Sequence, residues 1–111
     1  MTLKALCEIC SLDAGVLADR DREISGVYCC DLLSIVMGKA PSDCAWVTVM
    51  ANINAVAVAS LAEIGVIVFA DGVKPEEAVI LKAKENGINI LLSDKNVFDT
   101  ALSVYEAIKN D

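Results

Sequence analysis

Histidine is absent from this 111-residue chain. Without an imidazole there is no general base for a Ser-His-Asp arrangement, and zinc sites built on mixed Cys and His ligands are excluded. No G-x-S-x-G turn supplies a nucleophile elbow. Basic residues are also scarce: nine Lys and Arg stand against sixteen Asp and Glu, for a net charge of −7 and a pI near 4.4. A field of that sign repels phosphate backbones, so nucleic acid is not expected as a partner. No apolar run reaches the roughly 18–20 residues that span a bilayer, and no basic start leads into a signal-like apolar core. We therefore expect no membrane partner and a cytoplasmic location. Aromatic residues make up only 5% of a chain that is 56% hydrophobic, so Val, Ile, Leu and Ala must build the interior. The length suits one domain, residues 1–111, with a core that does not depend on disulfides.

The five cysteines, Cys7, Cys10, Cys29, Cys30 and Cys44, form an odd set, expected as reduced thiols in that compartment. In "TLKALCEICS", Leu3, Leu6, Cys7 and Cys10 recur at i, i+3, i+4, i+7, which puts both thiols on the apolar face of a short helix. If "GVYCC" is a strand, Cys29 and Cys30 point to opposite faces and share no ligand surface. A cysteine-based redox or metal site is the alternative that this placement argues against.

What is present is an alternation of short apolar runs and helical patterns. "GVLA" reads as a short strand, "DRDRE" as a solvated connection, and residues 23–29 as a stronger strand. Asp31 is placed to cap a helix over "LLSIVMG", with Gly38, Pro41 and Ser42 forming its exit. "AWVTVM" is short, apolar and rich in β-compatible residues, as expected of a strand covered on both faces. "INAVAVASLAEI", residues 53–64, is alanine-rich and runs to Gly65, which favours a crossover helix and hence a βαβ unit. In "VFADGVKPEEA" a buried strand meets an Asp-Gly turn, and Pro75 fits the first turn of a helix with Glu76 and Glu77 at its positive end. Gly87 stops that helix, "INILLS" supplies another strand, and "VFDTALSVYEAIK" is an amphipathic helix. The fold class that follows is α/β, a three-layer α/β/α domain with a mostly parallel sheet.

Right-handed crossovers bring the C-terminal ends of parallel strands to one edge. Asp31, Asn52, Asn54, Asp71, Gly72, Ser93 and Asp94 all follow apolar runs and are expected at that edge as ligand-binding residues. Each also has a local duty open to it, since Asp, Asn and Ser cap helices and Gly enables turns. The cofactor, if there is one, is not specified by these residues.

Together, "SGVYCCDLLSIVMGKA", "AWVTVMANINAVAVASLAEIGVIVFADG" and "GINILLSDKNVFDTALSVYEAI" resemble the small DRTGG-domain family over residues 15–109. The literal D-R-T-G-G signature is replaced by "DRDREISG". The resemblance implies an α/β/α fold related to the N-terminal domain of HPr kinase/phosphorylase and, more distantly, to that of Mur ligases. It also implies regulatory or assembly work, since family members occur beside phosphotransacetylase or CBS-type pyrophosphatase domains. Kinase activity is not implied here, because no G-x-x-x-x-G-K-[ST] loop is present: "VMGKAPS" has one glycine before Lys39 and Ala40 after it. The resulting expectation is a non-catalytic regulatory or assembly module that binds a small polar ligand, a nucleotide among the candidates, or a protein partner at the strand-end edge. A small enzyme using Asp71 or Asp94 is a further alternative. Because "INAVAVASLAEI" is apolar nearly all round, residues 53–64 are expected to contribute to a homodimer interface, with Ala57 and Ala59 as its test positions.

Overall fold

The computed structural model of the protein describes residues 1–111. Along the chain the elements are α1 (Leu3–Ile9), β1 (Asp13–Val16), β2 (Gly26–Cys29), α2 (Leu33–Lys39), β3 (Cys44–Thr48), α3 (Ile53–Leu61), β4 (Val66–Phe69), α4 (Glu77–Asn86), β5 (Ile90–Leu92) and α5 (Val97–Lys109). The five strands form one sheet in the order β1-β5-β4-β3-β2. Strands β2 to β5 are parallel, and β1 is antiparallel to β5 at one edge.

This order dictates where the helices lie. Each step from β2 to β5 moves one place in the same direction, so right-handed crossovers put α2, α3 and α4 on the same face. Their buried residues Val36, Val56, Ala59, Val79 and Ala83 join Trp46, Ile67, Phe69 and Ile90 in the core on that side. On the other face, Leu3 and Leu6 of α1 and Val104 of α5 pack with Val47, Val66, Val68 and Leu91. The result is the expected three-layer arrangement. Strands β3 and β4 are buried at every residue, which explains their apolar runs, interrupted only by Thr48 at the end of β3.

Several local expectations are corrected. The strand expected from "GVLA" begins earlier, at Asp13, and the one expected over residues 23–29 is confined to Gly26–Cys29. The "DRDRE" segment is a belt along the sheet's N-terminal edge and not a free connection. The Arg22 guanidinium reaches Asp43 Oδ1 at 2.9 Å and the Glu63 carbonyl at 3.0 Å. The carbonyls of Arg22 and Arg20 accept from the N–H groups of Leu3 and Lys4, satisfying orphan donors at the start of α1. Asn89, buried at the foot of β5, clips the belt to the sheet: its Oδ1 accepts from Asp19 N at 2.8 Å, and its Nδ2 donates to the Gly65 carbonyl at 3.0 Å.

Helix α3 ends at Leu61, before the expected boundary. Glu63 takes the left-handed conformation (φ 56°) and Ile64 N donates to the Ala59 carbonyl at 3.0 Å, the Schellman closure that Gly87 (φ 67°) makes for α4. Gly65 has a different duty: a Cβ there would lie 2.7 Å from Ile24 Cδ1 and 2.8 Å from the Asp43 carbonyl. Pro75 stands just outside α4, whose N-cap is Glu76. The apolar circumference of α3 also has an intramolecular cause, because α3 is the middle helix of its layer, between α2 and α4. Ala59 is fully buried, while Ala57 remains exposed beside Ile53 and Leu61.

Candidate functional site at the strand ends

The C-terminal edge of the parallel strands carries all seven expected residues, and their hydrogen bonds divide them into two groups. Asp31 does not cap α2, whose N-cap Leu32 has no side-chain acceptor. Its Oδ1 instead accepts from Thr48 Oγ1 at 2.6 Å and from Val49 N at 3.1 Å, tying the end of β2 to the end of β3. Asn52 caps α3, with Oδ1 accepting from Ala55 N at 2.9 Å. Ser93 is buried and shares a 2.8 Å hydrogen bond with Thr100 of α5. These three polar groups are occupied by the fold.

Asp71 and Gly72 form the turn after β4. Both have positive φ, 60° and 70°, and Val73 N donates to the Ala70 carbonyl at 3.2 Å, the geometry of a type I′ turn. Asp tolerates the left-handed region better than most side chains, and Gly carries no Cβ to clash. The turn is stitched to the loop after β5: Asp71 N donates to the Lys95 carbonyl at 2.7 Å and Gly72 N to the Ser93 carbonyl at 2.9 Å. The chain departs to α4 on one face and to α5 on the other, so a crevice could open between these loops, but the two bonds close it. A Cβ on Gly72 would stand 3.7 Å from Asp94 Oδ1, which places that carboxylate beside the turn.

The side chains of Asn54, Asp71 and Asp94 are exposed and make no hydrogen bond or ion pair within the chain. They are the expected residues left free for a ligand, and the exposed Lys74 and Lys95 ammonium groups of the same loops are likewise unpaired. Beside Asn54 lies an open hollow of about 340 Å³ between the starts of α3 and α4, lined by Asn52, Ile53, Glu76 and Val79. Beside Asp94 is a narrower cleft of about 200 Å³, bounded by Cys10, Asp13, Lys95, Thr100 and Ser103. Cys10, the C-cap of α1, and Ser103 of α5 meet here, a juxtaposition across the chain that no local pattern signals. The largest hollow, about 720 Å³, is an open groove between α1 and α5, and none of the seven expected residues lines it.

The thiols do not converge. Cys7 and Cys10 donate to the carbonyls of Leu12 and Ser103, Cys44 is fully buried, and Cys29 is exposed. Burial pushes the Cys7 and Cys29 thiols up, and Cys44 is pushed up to about 11, chiefly by the same desolvation. Raised values disfavour the thiolate that redox and metal chemistry need. No group of three or more Cys, Asp or Glu side chains has the geometry of a metal site.

No family model matches this chain, and no curated protein does. A solved structure is similar to it: the CBS and DRTGG domains of the regulatory region of Clostridium perfringens pyrophosphatase, complexed with the activator diadenosine tetraphosphate. The TM-score is 0.72 at 12% sequence identity, and the match covers 96% of this chain and 46% of that one. The chain thus spans less than half the length of the structure it matches. At this identity the likeness is one of fold, and it supports a DRTGG-like fold for the chain. No helix is long and apolar enough to cross a membrane.

Proposed function

We propose that this chain is a non-catalytic regulatory module that binds a small polar ligand at the C-terminal edge of its sheet. The observation that carries the reading is the presence of three unpartnered polar side chains, Asn54, Asp71 and Asp94, among edge residues otherwise consumed by caps and turns. Similarity to a pyrophosphatase regulatory region solved with a nucleotide activator adds to it. The reading includes the fold kinship with the N-terminal domain of HPr kinase/phosphorylase that the sequence resemblance implies, without the kinase activity. We also place the module in the cytoplasm, acting as a homodimer.

Electrostatics narrow the ligand class. Asp71 and Asp94 lie at the free part of the edge beside the unpaired Lys74 and Lys95, so this edge carries both signs in a chain of net charge −7. A carboxylate accepts hydrogen bonds and attracts cations, while the Asn54 amide both donates and accepts. The ligand that fits presents hydrogen-bond donors or a cationic group to these carboxylates, and a nucleotide would offer them its base or ribose while Lys95 faces its phosphates.

Thermal-shift and calorimetric screening against nucleosides, nucleotides and central metabolites tests this. A stabilising ligand is expected. Binding should be lost in Asn54→Ala or in Asp94→Ala, according to which hollow takes the ligand, while circular dichroism and the unliganded midpoint stay unchanged. Silence across the panel, or binding indifferent to all three free side chains, overturns the reading.

A further inference from the structure

The two edges of the sheet are finished differently. Strand β1 is broken by a register shift between Ala14 and Val16 and starts with the exposed Asp13, devices that discourage pairing with another strand. Strand β2, at the opposite edge, carries no charge, no proline and no bulge within Gly26–Cys29. Ser25 N donates to the Asp43 carbonyl in the β3 direction. By the alternation of a strand, Gly26 and Tyr28 therefore direct their N–H and C=O away from the sheet. A Cβ on Gly26 would meet nothing within 4 Å, so the sheet face at that residue is uncovered.

The surfaces beside it expose large apolar side chains on both faces, with the Lys109 ammonium 5.9 Å from the Tyr105 ring on one of them. On one side α2 buries only Val36 and exposes Leu32 (58%), Ile35 (39%) and Met37 (43%). On the other side α5 crosses β2 and β3. Asp99, Leu102, Ser103 and Glu106 line its groove with α1, so helical spacing puts Phe98 and Tyr105 on the opposite flank, and both are exposed.

Charge separates this face from the rest of the molecule. From Ser25 to Ala62 the only charged residues are Asp31, Lys39 and Asp43, in a chain with nine basic and sixteen acidic side chains. The outer face of α4 carries Glu77, Lys84 and Glu85, and the α1–α5 groove carries Asp99, Glu106 and Asp111 against Lys95 and the Met1 ammonium. Two copies of a −7 chain repel wherever acidic surfaces meet, and the β2–α2 face is where they can approach without that cost. An open strand edge is also self-complementary, because a two-fold axis pairs it with its own copy in antiparallel register and each outward N–H finds an outward C=O.

We propose that a second copy of this chain docks here, with β2 paired antiparallel to β2 of its partner, so that one sheet runs through both protomers, and with α2 packed against its partner's α2. This surface is distinct from the ligand edge and does not rest on the ligand reading. It replaces the central helix α3 with α2 and the bare strand as the core of the contact.

Light scattering at micromolar concentration tests the state, and hydrogen exchange resolved to single amides tests the surface. The expected result is a mass of twice 11.7 kDa, with exchange at Gly26 and Tyr28 slowing as concentration rises. The double variant Leu32→Glu, Met37→Glu should be monomeric with unchanged circular dichroism, because each change acts twice across a two-fold axis. Leu81→Glu, on the exposed face of α4, should leave the dimer intact. A monomer at every concentration overturns the proposal, as does a dimer whose Gly26 and Tyr28 amides exchange as fast as unstructured amides. The exchange measurement on the unaltered protein decides the matter even if the double variant does not fold.

Discussion

Cys44 begins β3 at the foot of the sheet, fully buried with the core residues Trp46 and Ile64. Its thiol is pushed up to about 11 from an ordinary 9.0, first by loss of hydration and then by the charges of Asp43 and Cys29, partly offset by a backbone hydrogen bond. In the unfolded chain the thiol ionises near 9, so between about 9 and 11 the unfolded state holds fewer protons than the folded one. The contribution is intact below pH 9 and is lost as pH rises towards the folded value. Urea midpoints measured between about pH 8 and about pH 10.5 should therefore fall. The fall should be smaller in Cys44→Val, which fills the site without a titrating group. An equal fall in both proteins would assign the alkaline instability to other groups. Cys7, also raised by burial, shares the direction.

At the scale of elements, Asp31 and Asn52 show how one local signal covers two jobs. Each follows an apolar strand and precedes a helix, and both are natural caps. Asn52 does cap α3, whereas Asp31 joins the end of β2 to the end of β3 through Thr48 and Val49. Removing the cap in Asn52→Ala should cost about 1 kcal/mol, the ordinary value for an Asn cap. Asp31→Ala takes a charged acceptor from the buried Thr48 hydroxyl and from a backbone N–H, for an expected loss of about 2–3 kcal/mol. Chemical denaturation of the two variants gives the order directly. A smaller loss at Asp31 would mean that water replaces its carboxylate at the strand end.

On the scale of the whole molecule, the belt between β1 and β2 holds the N-terminal edge together. It runs from one edge strand to the other, and Asn89 fastens it by bonds to Asp19 and Gly65, residues 70 and 24 positions away. Asn89→Ala leaves the Gly65 carbonyl and the Asp19 backbone without their partner, at an expected cost of about 3 kcal/mol. Because the two cores share one sheet, the loss should be global. Trp46 fluorescence, reporting the α2–α4 side, and far-UV circular dichroism should move to lower denaturant together. Transitions that separate would show that the belt and the α1–α5 layer open on their own.

The sequence alone determined the features that depend on nearest neighbours along the chain. Fully buried β3 and β4 produce apolar runs, α5 produces an amphipathic period, Gly87 supplies the left-handed stop of α4, and Asp71-Gly72 supplies a turn. These are enough to specify alternating strands and helices, and with right-handed crossovers a three-layer α/β/α fold whose polar loops gather at one edge. Tertiary structure decided which of those polar groups remain free. Whether Asp31 caps a helix or ties two strands depends on Thr48, seventeen residues away, and whether the edge opens as a crevice depends on bonds from the β4 turn to the Ser93 and Lys95 carbonyls. The apolar circumference of α3 was legible as a surface needing cover, but its neighbours α2 and α4 are fixed by strand order and not by its own periodicity. Periodicity records how buried a residue is, whereas hydrogen-bond partners distant in sequence are chosen only when the sheet brings them within 3 Å or so.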